Sequence, residues 1–135
     1  MKYIIGIIGS REFYEMSVLN KIMDSLIKKY MLNEFDLYIC SGGARGADTL
    51  AQNYAKENGL SIIIYYPDWK TYGKEAGFRR NALIASQSDL IIALWDGQSK
   101  GTMHTVALAE ELNKKVIIYD KSTGDLKTNY TGGIL

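Results

Sequence analysis

Five short apolar runs, Tyr3 to Ile8, Leu37 to Cys40, Ile62 to Tyr65, Leu90 to Trp95 and Val116 to Tyr119, restrict the fold of this chain more than any other feature. Each is continuous rather than alternating, the pattern of strands covered on both faces. Helical periodicities lie between them. Val18, Leu19, Ile22, Met23, Leu26, Ile27 and Tyr30 recur at three- and four-residue steps, giving residues 15 to 31 a single apolar face. Ala47, Leu50, Ala51, Tyr54 and Ala55 repeat the pattern, with Gly59 as its stop. Residues 76 to 87 and 102 to 113 complete the set. Strands alternating with helices of this length are joined by right-handed crossovers. The expected fold is therefore α/β: a Rossmann-like three-layer sandwich around a mainly parallel five-stranded sheet of order 3-2-1-4-5. Residues 1–120 carry that domain. Residues 121–135, with Gly124, Gly132 and Gly133 and only weak periodicity, read as a tail or an edge extension of it.

Composition bounds the possible functions. A chain of 135 residues fits one domain. Sixteen Lys and Arg against fifteen Asp and Glu leave a formal charge of +1, so no broad cationic surface advertises nucleic acid or an anionic membrane. The apolar runs are too short to span a bilayer and the N-terminus lacks signal-peptide features, which makes the cytoplasm the expected location. A single cysteine excludes an internal disulfide, and with a single histidine no Cys/His metal cage can be assembled within the chain. No metal and no cofactor are implied. Cys40 closes an apolar run and reads as a buried side chain.

In sheets of this kind ligands bind beyond the carboxyl ends of the strands, so the loops there are candidate walls of one site. After the first strand come Gly9, Ser10 and Arg11, a turn, a hydroxyl and a fixed charge suited to phosphate or carboxylate. After the second comes SGGARGAD, residues 41 to 48. Its glycines permit positive φ and let a ligand approach the backbone, and successive N–H groups at a helix start would form an anion nest. Ser41, Gly42, Gly43, Ala44, Gly46 and Ala47 are candidates for that contact. Asp48, in the first helical turn, caps free N–H groups or reaches a ribose hydroxyl. Neither GxGxxG nor GxxxxGK[ST] is present, so a dinucleotide dehydrogenase or a phosphate-loop NTPase is not described.

The third loop gathers aromatic rings, of which Trp69 and Tyr72 either stack on a base as a lid or roof the core. Arg79, Arg80 and Asn81 follow; adjacent arginines on a helix point about 100° apart and do not share one role. After the fourth strand Asp96, Gly97, Ser99, Lys100, Gly101 and Thr102 form a second loop of small and polar residues entering a helix. Two such loops on one sheet edge would frame a cleft for a ligand with more than one polar end.

Taken together, IIGSREF, SGGARGAD, the pair Arg80-Asn81 and DGQSKGT resemble the SLOG superfamily of Rossmann-like nucleotide-binding domains, over about residues 3 to 119. That superfamily includes the DNA-processing protein DprA and the Lonely Guy phosphoribohydrolases, and the similarity is greatest to small stand-alone YspA-like members. The resemblance implies binding of a nucleotide or nucleotide-derived small molecule by a sensor or sequestering module. Two other activities come with it: N-glycosidic cleavage of a nucleoside monophosphate and, less favoured at this charge balance, single-stranded nucleic acid binding. The phosphoribohydrolase loop Pro-Gly-Gly-x-Gly-Thr precedes a catalytic glutamate, whereas Thr102 is followed here by Met103, His104 and Thr105. Candidate catalytic groups in its place are Arg80, Asp48, Asp96 and His104. Superfamily members often pair through helices, so a dimer or higher homo-oligomer is expected, with Ile134-Leu135 as one possible contact.

Overall fold

The computed structural model describes residues 1–131. Its elements in order are β1 (Lys2–Gly9), α1 (Met16–Lys29), β2 (Asp36–Ser41), α2 (Ala47–Glu57), β3 (Ser61–Ile64), α3 (Trp69–Tyr72), α4 (Ala76–Gln87), β4 (Leu90–Trp95), α5 (Lys100–Glu111), β5 (Lys115–Asp120) and β6 (Asp125–Thr128). The strands form one sheet of order β3-β2-β1-β4-β5-β6. The first five are parallel and in the expected order; β6 is antiparallel to β5.

The period-2 geometry of a strand explains why the apolar runs are unbroken. Along β1, Ile5 and Ile7 enter a core shared with Leu19, Met23 and Leu26 of α1 and Ala51, Tyr54 and Ala55 of α2. Ile4 and Ile8 point the other way, onto Ile84 and Ala85 of α4 and Val106 and Ala109 of α5. With helices on both faces, neither set of side chains can be polar. Each large side chain so buried contributes roughly 1.5–3 kcal/mol relative to exposure. Cys40 belongs to the second core; its Sγ lies 3.1 Å from Ser88 Oγ, and burial pushes the thiol pKa up to about 11.

Local chemistry sets the element ends. Ser99 caps α5 by accepting from the Thr102 amide at 3.3 Å, so the helix begins at Lys100, two residues before the periodicity predicts. Asn113, at φ 57°, turns the chain into β5. The sheet has six strands rather than five because Asp125–Thr128 add an edge strand beside β5. A turn closed by the Gly124 amide on the Asp120 carbonyl (2.7 Å) returns the chain along β5. Asn129 then fastens the edge, its Oδ1 accepting from the Val116 amide (2.8 Å) and its Nδ2 donating to the Lys114 carbonyl (3.0 Å). Leu126 is the one apolar residue of β6, too little to mark a strand in the sequence. Gly132, Gly133 and the proposed contact Ile134-Leu135 lie outside the described residues. No helix among those described is long and apolar enough to cross a membrane.

Candidate functional site

β1 has β2 on one side and β4 on the other, so the crossovers diverge beyond its carboxyl end. A cleft of about 440 Å³ opens there, within the range of roughly 300–1,000 Å³ typical of small-molecule sites. Its walls come from the loops after β1, β2 and β4 and from one face each of α4 and α5.

Ser10 joins three of these walls. It is 2% exposed. Its amide donates to the Leu94 carbonyl (2.9 Å), its carbonyl accepts from the amides of Phe13 (3.2 Å) and Ala47 (3.1 Å), and its Oγ accepts from the Asp96 amide (2.9 Å). One residue thus ties the end of β1 to the start of α2 and to the loop after β4. The closeness of the Ala47 contact dictates glycine at position 46. Gly46 has φ +74°, and a Cβ there would run into the carbonyl groups of Ser10 and Arg11.

Asp48 organises the loop after β2 from within. Its Oδ1 lies 2.8 Å from Ser41 Oγ, and its Oδ2 accepts from the Ala44 amide at 3.0 Å. The Ser41 hydroxyl also lies 2.7 Å from the Ile7 carbonyl, tying the loop to β1. The anion nest expected from SGGARGAD is therefore narrower than its glycine content suggests. The Ala44 amide is taken by Asp48 and the Ala47 amide by Ser10. Capping and loop closure, rather than open donors, account for much of this motif.

Arg80 reaches the same loop from α4. Its Nη1 donates to the Gly42 carbonyl at 2.6 Å and its Nε to Asn81 Oδ1 at 3.0 Å. Burial lowers the guanidinium pKa from its ordinary value, opposed by nearby Asp48 and reinforced by Arg11; an arginine remains charged regardless. Gly42 leaves room for it, since a Cβ would sit 3.0 Å from Arg80 Cζ and 3.1 Å from Asp48 Oδ2.

The loop after β4 is closed by Asp96, whose Oδ1 accepts from the amides of Gln98 and Ser99, each at 2.8 Å. These bonds hold its carboxyl below the usual range. Trp95 Nε1 donates to the Ser99 carbonyl at 3.0 Å and fixes the entry to α5. The first-turn amides of Lys100 and Gly101 have no acceptor within the helix, and Gly101 lines the cleft, so the positive end of α5 faces it.

Of the residues expected at the site, Gly9, Ser10, Arg11, Gly42, Ala44, Asp48, Arg80, Asn81, Asp96, Ser99, Gly101 and Thr102 line this one cleft. Ser41, Gly46 and Ala47 support its walls from behind. Gly43 packs against Ile64 and Tyr66, Gly97 against Ser122, and Lys100 points outward at the start of α5. Trp69 and Tyr72 stand away from the cleft. Trp69 is 58% exposed, and the Tyr72 ring carries the Arg79 guanidinium at 4.2 Å. Arg79 also pairs with Glu75 at 3.7 Å, so the two adjacent arginines do separate in role. His104 stacks edge-on against Phe78 (4.5 Å) beside the cleft, not in it.

Five lining residues escaped the sequence reading: Ile8, Glu12, Arg45, Ile84 and Thr105. Ile84 and Thr105 lie four residues beyond Arg80 and Gly101, so helical spacing alone would have found them. Glu12 and Arg45 face each other across the mouth at 2.8 Å, both about two-thirds exposed. The lining thus holds three arginines, Arg11, Arg45 and Arg80, and three carboxylates, Glu12, Asp48 and Asp96.

Comparison with known proteins agrees with this architecture. Residues 4–72 match the family model described as YspA, cpYpsA-related SLOG family. The Gene 61 protein of Mycobacterium phage D29 is 30% identical over 117 residues, which cover 82% of this chain and 91% of that protein. Among solved structures, DNA processing protein A of Streptococcus pneumoniae is similar at a TM-score of 0.68 and 21% identity. The match covers 93% of this chain and 52% of the other, so the chain spans about half the length of that protein. The structural-genomics target TM1055 is similar at a TM-score of 0.60 and 21% identity, over 92% of this chain and 76% of that one. DNA processing protein A of Helicobacter pylori, whose structure is described for its single-stranded DNA binding mode, gives 0.60 and 24%, over 86% and 64%. At these identities the structures speak for a shared fold.

Proposed function

The chain belongs to the YspA, cpYpsA-related SLOG family, and from that premise we propose that it binds a nucleotide or nucleotide-derived small molecule in the cleft beyond β1 and β4. The carrying observation is that Arg80 and the N-terminal turn of α5 line the same cavity. A fixed guanidinium opposite a helix N-terminus favours a phosphate between them. The Ser99 hydroxyl and the exposed carboxylate of Glu12 at the mouth suit the hydroxyl groups of a sugar. Binding without turnover would make the chain a sensor or a sequestering module.

Hydrolysis of an N-glycosidic bond has less support. Asp48 and Asp96 each hold two groups of the protein itself, and the positions after Thr102 bring no glutamate. Single-stranded DNA binding, described for the Helicobacter relative, relies on excess positive charge along a track. Here three arginines are matched by three carboxylates.

Isothermal titration calorimetry with AMP, ADP-ribose and a short oligothymidylate tests the reading. Saturable binding of AMP or ADP-ribose, lost in Arg80→Ala, is expected. A ligand at a hundred times its Kd also adds about 2.7 kcal/mol of stability, which melting detects. Release of ribose 5-phosphate would replace the binding module by a hydrolase, and preference for the oligonucleotide would replace it by a nucleic acid binder. A folded protein that binds none of the three overturns the assignment.

A further inference from the structure

His104 lies beside the cleft, yet it connects to Arg80 through one amide. Asn81 Oδ1 accepts from Arg80 Nε at 3.0 Å, and Asn81 Nδ2 lies 3.3 Å from His104 Nδ1. The donor inventory fixes the whole chain of contacts. A guanidinium only donates, so the amide oxygen faces Arg80 and the NH2 group faces the histidine. That NH2 group also only donates, so Nδ1 must accept and the ring proton sits on Nε2.

We infer that His104 is a positioning residue for the proposed nucleotide site: the neutral imidazole holds the Asn81 amide in the one orientation that aims Arg80 at the cleft. The inference rests on the binding function proposed above. Protonated histidine carries a proton on Nδ1 and meets the Asn81 NH2 group donor to donor. The amide can relieve this only by turning over, which then presents NH2 to Arg80 Nε–H. In the turned-over orientation the guanidinium loses its Nε acceptor and keeps only Gly42. The charged groups around the ring are Arg80 beyond Asn81, the paired Arg79 and Glu75 on the α4 side, and Lys100 one turn earlier on α5. The Phe78 ring covers its flank.

The 135-residue chain contains a single histidine, so its imidazole resonances need no assignment. In 15N-labelled protein taken from alkaline to acid pH, the Nε2–H tautomer is expected as long as the ring is neutral. The Arg80 Nε resonance should then move with the same midpoint as the ring. His104→Asn offers an amide oxygen in place of Nδ1. It should hold the Arg80 resonance at its high-pH position throughout. Affinity for AMP should fall roughly three- to tenfold on protonation in the unaltered protein, the effect of one lost hydrogen bond, and stay level in His104→Asn. A ring protonated at Nδ1 in the neutral form, or an Arg80 resonance indifferent to the histidine titration, overturns the inference. The resonance measurements need no ligand. Failure of AMP to bind at any pH would therefore count against the nucleotide site alone, and the tautomer and the Arg80 shift would still decide the positioning role.

Discussion

Arg80 and Gly42, 38 positions apart, are joined by a 2.6 Å hydrogen bond from guanidinium to carbonyl, which fastens α4 to the loop after β2. The same guanidinium reaches Asn81 through Nε, so its planar fork is held at two points. Lysine keeps the charge and loses the fork. Arg80→Lys is expected to weaken AMP binding by about ten- to a hundredfold, the range for a charge-assisted hydrogen bond. Calorimetry measures that loss, and a retained cooperative melting transition separates it from unfolding.

Ser10→Ala removes one acceptor and leaves the backbone bonds of Ser10 in place. The Asp96 amide loses its partner, at a stability cost of about 1 kcal/mol. Because that bond holds the loop after β4 against β1, affinity for AMP should fall by more than stability does. Urea denaturation alongside calorimetry separates the two effects.

Asp48→Ala strips the loop after β2 of its internal acceptor. The Ala44 amide is then unsatisfied and the Ser41 hydroxyl keeps only the Ile7 carbonyl. A loss of about 1 kcal/mol is expected, since the half-buried Ala44 amide lines the cleft and is within reach of water. A variant as stable as the parent in denaturant would show that the carboxylate serves a ligand rather than the loop.

Gly46→Ala places a methyl group at φ +74° against the carbonyls of Ser10 and Arg11. The backbone conformation alone costs about 1–3 kcal/mol, and the overlap adds to it. The variant should melt well below the parent or fail to accumulate as folded protein.

Cys40 makes stability fall at alkaline pH. Burial raises its thiol pKa from the ordinary 9.0 to about 11, so the folded state retains a proton that the unfolded chain releases. The contribution is complete below pH 9 and declines as pH rises through 11, by roughly 2–3 kcal/mol in all. Cys40→Ala should flatten that part of the stability profile, as measured by denaturation at stepped pH, leaving the contribution of Tyr3 and Tyr54, whose hydroxyl pKa values burial also raises.

The layered fold was legible because strands buried on both faces leave continuous apolar runs, and helices packed on one side leave a stripe at 3.6-residue spacing. β6 was not, since an edge strand with Leu126 as its only apolar residue is stabilised by the side chain of Asn129, which periodicity does not register. The cleft was legible at its glycine-rich loops. Direction was harder: Trp69 and Tyr72 have the chemistry of a base platform, but the short helix α3 turns Tyr72 toward Arg79. Asp48 shows the same difficulty from the other side. A carboxylate in a helix's first turn reads alike whether it awaits a ribose or closes its own loop, and the contacts Asp48 makes with Ser41 and Ala44 leave no trace in residue spacing.

Ser10 has a kinetic corollary. Because the segments after β1, β2 and β4 share bonds to a single buried residue, none of them can swing independently. An incoming molecule meets a mould already cast, so association should proceed in one phase whose rate rises linearly with concentration, without the plateau that a slow isomerisation imposes.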